Sequence, residues 1–133
     1  MDSEERFKAL ESAAIEAAAQ GLKALLLLNG GACVALLAFV GGLATSEHVR
    51  PEFAPLVPAA TQALIWFASG SGVAVLACFF AYWTNQAYAN ALFNPQKHSW
   101  KSGTRLNIAG GTAALFSLFC FGKGVLDIGL ALV

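Results

Sequence analysis

Charge is what this sequence has least of. Only 12% of its 133 residues are Asp, Glu, Lys or Arg, about half the share of a typical soluble domain. A water-facing surface needs those side chains for solvation, so the shortage argues against a soluble globule. The eight basic and eight acidic residues cancel to a formal net charge of zero. No basic stripe is left to neutralise phosphates, which speaks against a nucleic-acid partner. Low charge with high hydrophobicity also argues against a disordered chain. Cysteine is scarce: Cys33, Cys78 and Cys120 fall in three separate apolar stretches without CxxC spacing. They form no disulfide framework and read as small apolar packers. His48 and His98 lie in two different loops, on opposite faces in the topology argued below, so they share no metal. No apolar stretch carries a histidine, which removes the usual membrane haem ligand. There is no Gly-rich phosphate loop, GxSxG or HExxH. No serine or carboxylate is spaced with a histidine as a nucleophilic site requires. The expectation is a protein that is not an enzyme and holds no cofactor or metal.

Apolar residues, at 57%, dominate what is present. Three long runs cover 22–44, 59–83 and 106–132, the last continuing to Val133. Each meets the roughly 20 residues needed to cross a bilayer core about 30 Å thick. One such run could be the buried helix of a soluble protein, but the remaining residues could not cover three. The first run is longer than the 7–15 residues of a signal-peptide core, and acidic residues precede it, so it reads as a retained helix. The expected fold is all-α: an integral membrane three-helix bundle, one membrane domain over 1–133. An amphipathic N-terminal helix (1–21) precedes the first span, and the second helix extends into the cytoplasm.

Lysine and arginine placement sets the expected orientation. Arg6, Lys8 and Lys23 precede or open the first span, Lys97, Lys101 and Arg105 lie between the second and third, and the first loop holds only Arg50. The amino terminus and second loop are therefore expected in the cytoplasm and the carboxyl terminus in the periplasm. Tyr82, Trp83 and Trp100 suit the aromatic belt at the cytoplasmic boundary.

Within the first 21 residues, Asp2 and Glu5 have capping-box spacing. Phe7, Leu10, Ala14, Ala17 and Gly21, continued by Ala24, recur at intervals of three and four, a single apolar stripe on a helix and a candidate assembly surface. Gly21 is the expected place for a bend. Beyond the second span, residues 84–93 keep a helical character until Asn94-Pro95, which should end it. This extension and the amino-terminal helix are expected to pack through Ala-rich faces. Pro51, Pro55 and Pro58 stiffen the first loop, with Pro58 near the first turn of the second helix.

Candidate packing residues are small or amide-bearing. Asn29, Gly30 and Gly31 sit inside the first span and read as a helix-packing seam or, alternatively, a pore or ligand contact. Gly70 with Ala74, Ala68 with Gly72, and Gly110 with Ala114 have the small-xxx-small spacing that lets membrane helices approach. Lys123 and Asp127 are the one charged pair within a span, four apart on one face. They read as a boundary pair with a snorkelling lysine or as a conduction or proton-relay site.

The run Ala24-Leu25-Leu26-Leu27-Leu28-Asn29-Gly30-Gly31-Ala32, then Ala35-Leu36-Leu37-Ala38-Phe39, resembles small hypothetical membrane proteins of proteobacteria, as do Ala81-Tyr82-Trp83-Thr84-Asn85 and Ser117-Leu118-Phe119. The resemblance implies a bacterial inner membrane and assigns no activity or site. Together these features favour a component that acts by assembling, as a homo-oligomer or within a larger membrane complex. A pore-former, holin-like or ion-conducting, is the alternative, although holins usually carry a charged tail where this chain has Leu130-Ala131-Leu132-Val133. A membrane effector or immunity protein is the third.

Overall fold

The computed structural model of the chain describes residues 3–45, 53, 56–96 and 99–132. Sequence expectations at Asp2, His48, Arg50, Pro51, Pro55, Lys97, His98 and Val133 lie outside the described residues. Among those described, the fold is all helical: α1 (Ser3–Thr45), α2 (Leu56–Phe93) and α3 (Trp100–Ala131) form a three-helix bundle. Their 43, 38 and 32 residues give lengths of about 64, 57 and 48 Å at 1.5 Å per residue. All three are long and apolar enough to cross a membrane.

The ends follow from local chemistry. Pro58 occupies the first turn of α2, where its missing N–H has no intrahelical acceptor to lose. The Asn94 N–H still donates to the Asn90 carbonyl at 3.0 Å, and the helix stops before Pro95. Helix α3 starts about a turn and a half before its apolar run. Ser99 caps it, its Oγ accepting from the Lys101 N–H at 3.3 Å, and Ser102 Oγ donates to the Ser99 carbonyl at 2.9 Å. In α1 the helix runs through Gly21 unbroken. Alanine and leucine on either side supply the propensity that one glycine lacks.

Helix α2 lies at the centre, antiparallel to both neighbours. Its longest seam is with α3 and a shorter one with α1, while α1 and α3 scarcely meet. Among the described residues the buried apolar ones are mostly small, Ala60, Ala63, Ala74, Ala77, Ala91 and Cys120, with Phe67 the one large ring. Small side chains let helix backbones approach and gain dispersion contact where lipid supplies no hydrophobic drive. Large side chains point outward instead, with Leu27, Val34, Leu115 and Leu130 at 65, 69, 71 and 76% exposure. Such a surface is costly in water and suits an acyl-chain environment. The chain is a small membrane protein.

The two extensions do not pack together as expected. The last turns of α2 pair with the early start of α3: the Tyr88 and Trp100 rings lie 5.2 Å apart, and a Cβ on Gly103 would overlap the Tyr88 ring. Residues 3–21 of α1 are exposed without exception. The Ser99 cap starts α3 early, so that its first turns, not α1, lie against the α2 extension.

Candidate functional site

Two polar side chains, one from α1 and one from α3, meet a backbone carbonyl of α2 inside the bundle. Asn29 of α1 is 0% exposed. Its Nδ2 donates to the Leu25 carbonyl of its own helix at 3.1 Å, and across to Ser117 of α3, at 3.2 Å to Oγ and 3.4 Å to the carbonyl. Ser117 Oγ in turn donates to the Gly70 carbonyl of α2 at 2.8 Å. One hydroxyl thus gives its proton to α2 and accepts from α1, joining all three helices. Gly70 makes room for this: a Cβ there would overlap the Asn29 amide. Asn29 Oδ1 and, one residue along α2 from Gly70, Ser71 Oγ are buried without a hydrogen-bond partner among the described residues. An amide, a hydroxyl and a backbone carbonyl joined in this way form a clasp across the three helices.

The charged residues form a second polar cluster nearer the far end of α3. Lys123 Nζ and Asp127 Oδ1 make an ion pair within the helix. The lysine also lies over the Trp66 indole of α2, 5.8 Å from its centroid, a cation–π contact. Trp66 meets Phe119 edge-on at 6.1 Å. The Asp127 side chain is only 15% exposed against 39% for Lys123. Its second oxygen, like Trp66 Nε1, is buried without a partner among the described residues. Lys123 sits roughly two turns, about 12 Å, before the end of α3.

The remaining candidate residues divide by face. Gly70 and Ala74 are buried, whereas Ala68 and Gly72 point outward. Gly110 lies against Phe80, its would-be Cβ 3.2 Å from the Phe80 Cβ. Gly30 faces Ser71 at ordinary contact distance. Gly31, expected in the same seam, has no atom of another helix within 4 Å of an added Cβ, because the 100° step from Gly30 turns it away from α2. Ala114 lines an apolar groove of about 470 Å³ between α1 and α3, with Gly21 and Leu25 opposite and Ala77 and Ala81 as its floor. Phe7, Leu10, Ala14 and Ala17 touch no other helix closely enough to be covered.

Sequence reasoning passed over Ser117 as the partner of Asn29, and also Gly103, Gly124 and Trp66. A signal for three of these was available. Gly103, Gly110, Ser117 and Gly124 stand seven apart, and each marks a close approach of α2: Tyr88, Phe80, the Gly70 carbonyl and Phe67. Seven-residue spacing of small groups is the mark of helices packed at a shallow left-handed angle. Among the described residues no group of three His, Cys, Asp or Glu side chains is placed to hold a metal ion. The chain matches no known family model, no curated protein and no solved structure.

Proposed function

We propose that this chain is a non-enzymatic component of the bacterial inner membrane that acts by assembling, with copies of itself or as an accessory subunit of a larger membrane complex. The observation that carries this reading is the bare amino-terminal part of α1. Phe7, Leu10 and Ile15 are 67, 71 and 54% exposed there. A helical segment of that length draws most of its stability from packing, so it calls for a surface outside its own bundle. The polar groups of the spans support the same reading, since Asn29 and Ser117 are consumed in holding the helices together rather than lining a lumen. The excess of lysine and arginine at the amino terminus and between α2 and α3 supports a cytoplasmic amino terminus and a periplasmic carboxyl terminus. A reporter fused after Val133 reads this: periplasmic activity is expected, and cytoplasmic activity removes the orientation.

One observation favours a second reading, an ion- or proton-conducting oligomer. Lys123 and Asp127 lie within the third span, and the Asp127 oxygen that Lys123 leaves free is buried. Intramembrane charges commonly mark such paths. The deciding experiment is the mass and composition of the particle released gently from its own membrane. A single-species oligomer supports self-assembly, and its conductance in planar bilayers then tests the second reading. Defined companion proteins support the accessory role. A bare monomer refutes assembly.

A further inference from the structure

We propose that α1 is a parallel, left-handed coiled-coil seam between two copies of this chain, running from Phe7 through the membrane to Gly42. This rests on the assembly reading above and names the partner and the surface.

The seam is a heptad repeat. Residues 7, 14, 21, 28, 35 and 42 are Phe, Ala, Gly, Leu, Ala and Gly; residues 10, 17, 24, 31 and 38 are Leu, Ala, Ala, Gly and Ala. None carries a polar side chain. Each of the other five heptad positions carries at least one: Lys8 and Asn29, Glu16 and Lys23, Glu4 and Glu11, Glu5 and Ser12, Arg6 and Gln20. The unbroken apolar stripe is therefore confined to one pair of positions, equivalent to a and d, sustained over five heptads. Every one of its residues is exposed in the bundle. The residues α1 turns toward α2 lie on the adjacent face, around Leu22, Leu25, Asn29 and Leu36. The bundle thus leaves the stripe open along its full length.

Its glycines point the same way. Gly21, Gly31 and Gly42 have open space where a Cβ would stand. A glycine inside a helix costs about 1 kcal/mol relative to alanine, and nothing in their own chain requires these three to be bare. Gly70, Gly103 and Gly124 each admit a neighbouring side chain within this bundle; a second backbone laid on α1 gives the outward glycines the same use.

Charge selects the partner. In a parallel pair, position g of one helix faces position e of the next heptad on the other. Here that sets Arg6 against the other copy's Glu11, twice by symmetry. An antiparallel pair over the same seam would instead set Arg6 and Glu11 against the uncharged carboxyl-terminal end of the other copy's α1, leaving both without an opposite charge. Copies of one chain cross the membrane in a single orientation, so their α1 helices are parallel by construction. The membrane also holds them at high effective concentration, which lets a short seam of small residues suffice.

The test uses the full-length protein in its own membrane, with Cys33, Cys78 and Cys120 changed to alanine and one cysteine introduced. A short bismaleimide should join copies bearing Leu10→Cys or Ala14→Cys. Ser12→Cys, on the far side of the helix, should yield at least about tenfold less. Arg6→Glu should lower the Leu10→Cys dimer yield by roughly tenfold, since two pairs per dimer turn repulsive, and Arg6→Glu with Glu11→Arg should restore it. Positions 6, 10, 11, 12 and 14 are all exposed, and helical circular dichroism equal to that of the unsubstituted protein verifies folding of the cysteine-free background, in which the buried Cys120 is also replaced. Equal yields at positions 10 and 12, adducts to a different protein in place of the homodimer, or failure of the charge swap to restore the yield would overturn the seam. A native oligomer that gives no link at Leu10 sinks the seam and leaves self-assembly standing; a monomeric particle sinks both.

Discussion

A double-mutant cycle on Gly70 and Asn29 reads the clasp directly. The three atoms nearest a Cβ built on Gly70 all belong to the Asn29 amide, and Asn29 is fully buried with its Nδ2 already committed to Leu25 and Ser117. Gly70→Ala therefore forces the amide out of place. Overpacking of this kind costs about 1–3 kcal/mol, and loss of the bond to Ser117 adds about 0.6 kcal/mol, the average for membrane helices. The better helix propensity of alanine returns about 1 kcal/mol, leaving a net loss of about 0.6–2.6 kcal/mol. Asn29→Ala alone removes the link from α1 to α3 and costs about 1 kcal/mol, because Ser117 keeps its bond to the Gly70 carbonyl. With Asn29 already alanine, Gly70→Ala meets no amide and should be neutral or slightly stabilising. The two changes should be coupled by about 2 kcal/mol. Gly72→Ala, facing open space two residues away, is the control and should cost nothing. Reversible unfolding in mixed micelles, followed by circular dichroism and tryptophan fluorescence, supplies the four free energies. An additive cycle, or a Gly70→Ala protein as stable as Gly72→Ala, would refute the packing argument.

Gly31→Leu should leave the unfolding midpoint of the single chain unchanged or slightly raised, since no other helix of that chain lies within 4 Å of a Cβ there, while reducing the assembled fraction in size-resolved particles; a loss of single-chain stability would put Gly31 inside the bundle after all. Lys123→Met should strand the largely buried Asp127 carboxylate and destabilise by about 1–3 kcal/mol, less than a fully buried pair loses. Lys123→Met with Asp127→Leu should recover most of that in the same unfolding assay, and no recovery would mean the pair is not coupled. Ser99→Ala should remove the α3 cap, with faster hydrogen exchange at the Lys101 amide and a local cost of about 1 kcal/mol; unchanged exchange would show that the Ser99 hydroxyl does not hold the first turn.

Much of the fold was legible because a bilayer asks a simple question of a sequence. Each run of more than twenty apolar residues satisfies its backbone as a helix, and Pro95 ends α2 where the residue before proline disfavours helical geometry. The start of α3 was less legible. Lys101, Thr104 and Arg105 hide a helix that hydropathy alone dates from residue 106, and the signal was the Ser99 cap. The separation of the two extensions was equally hidden. At the clasp, Asn29 announced itself as an amide in lipid, and Gly70 as a small residue at a useful spacing. Ser117, 88 residues from Asn29, carried no local mark beyond its place in the seven-residue series with Gly103, Gly110 and Gly124.

By itself, then, the sequence determined the class, the number of helices and most of their ends, since length, hydropathy and proline act locally. Only the tertiary structure decided which small residues face inward. In a soluble helix the polar side reveals the buried one, but in a membrane helix both sides are apolar and periodicity loses its contrast. Gly30 and Gly31 look alike in the sequence and differ by the 100° that sends one toward Ser71 and leaves the other open. The same geometry chose Ser117 for Asn29, closed Gly70 and Ala74 into the core, and left the heptad face of α1 uncovered.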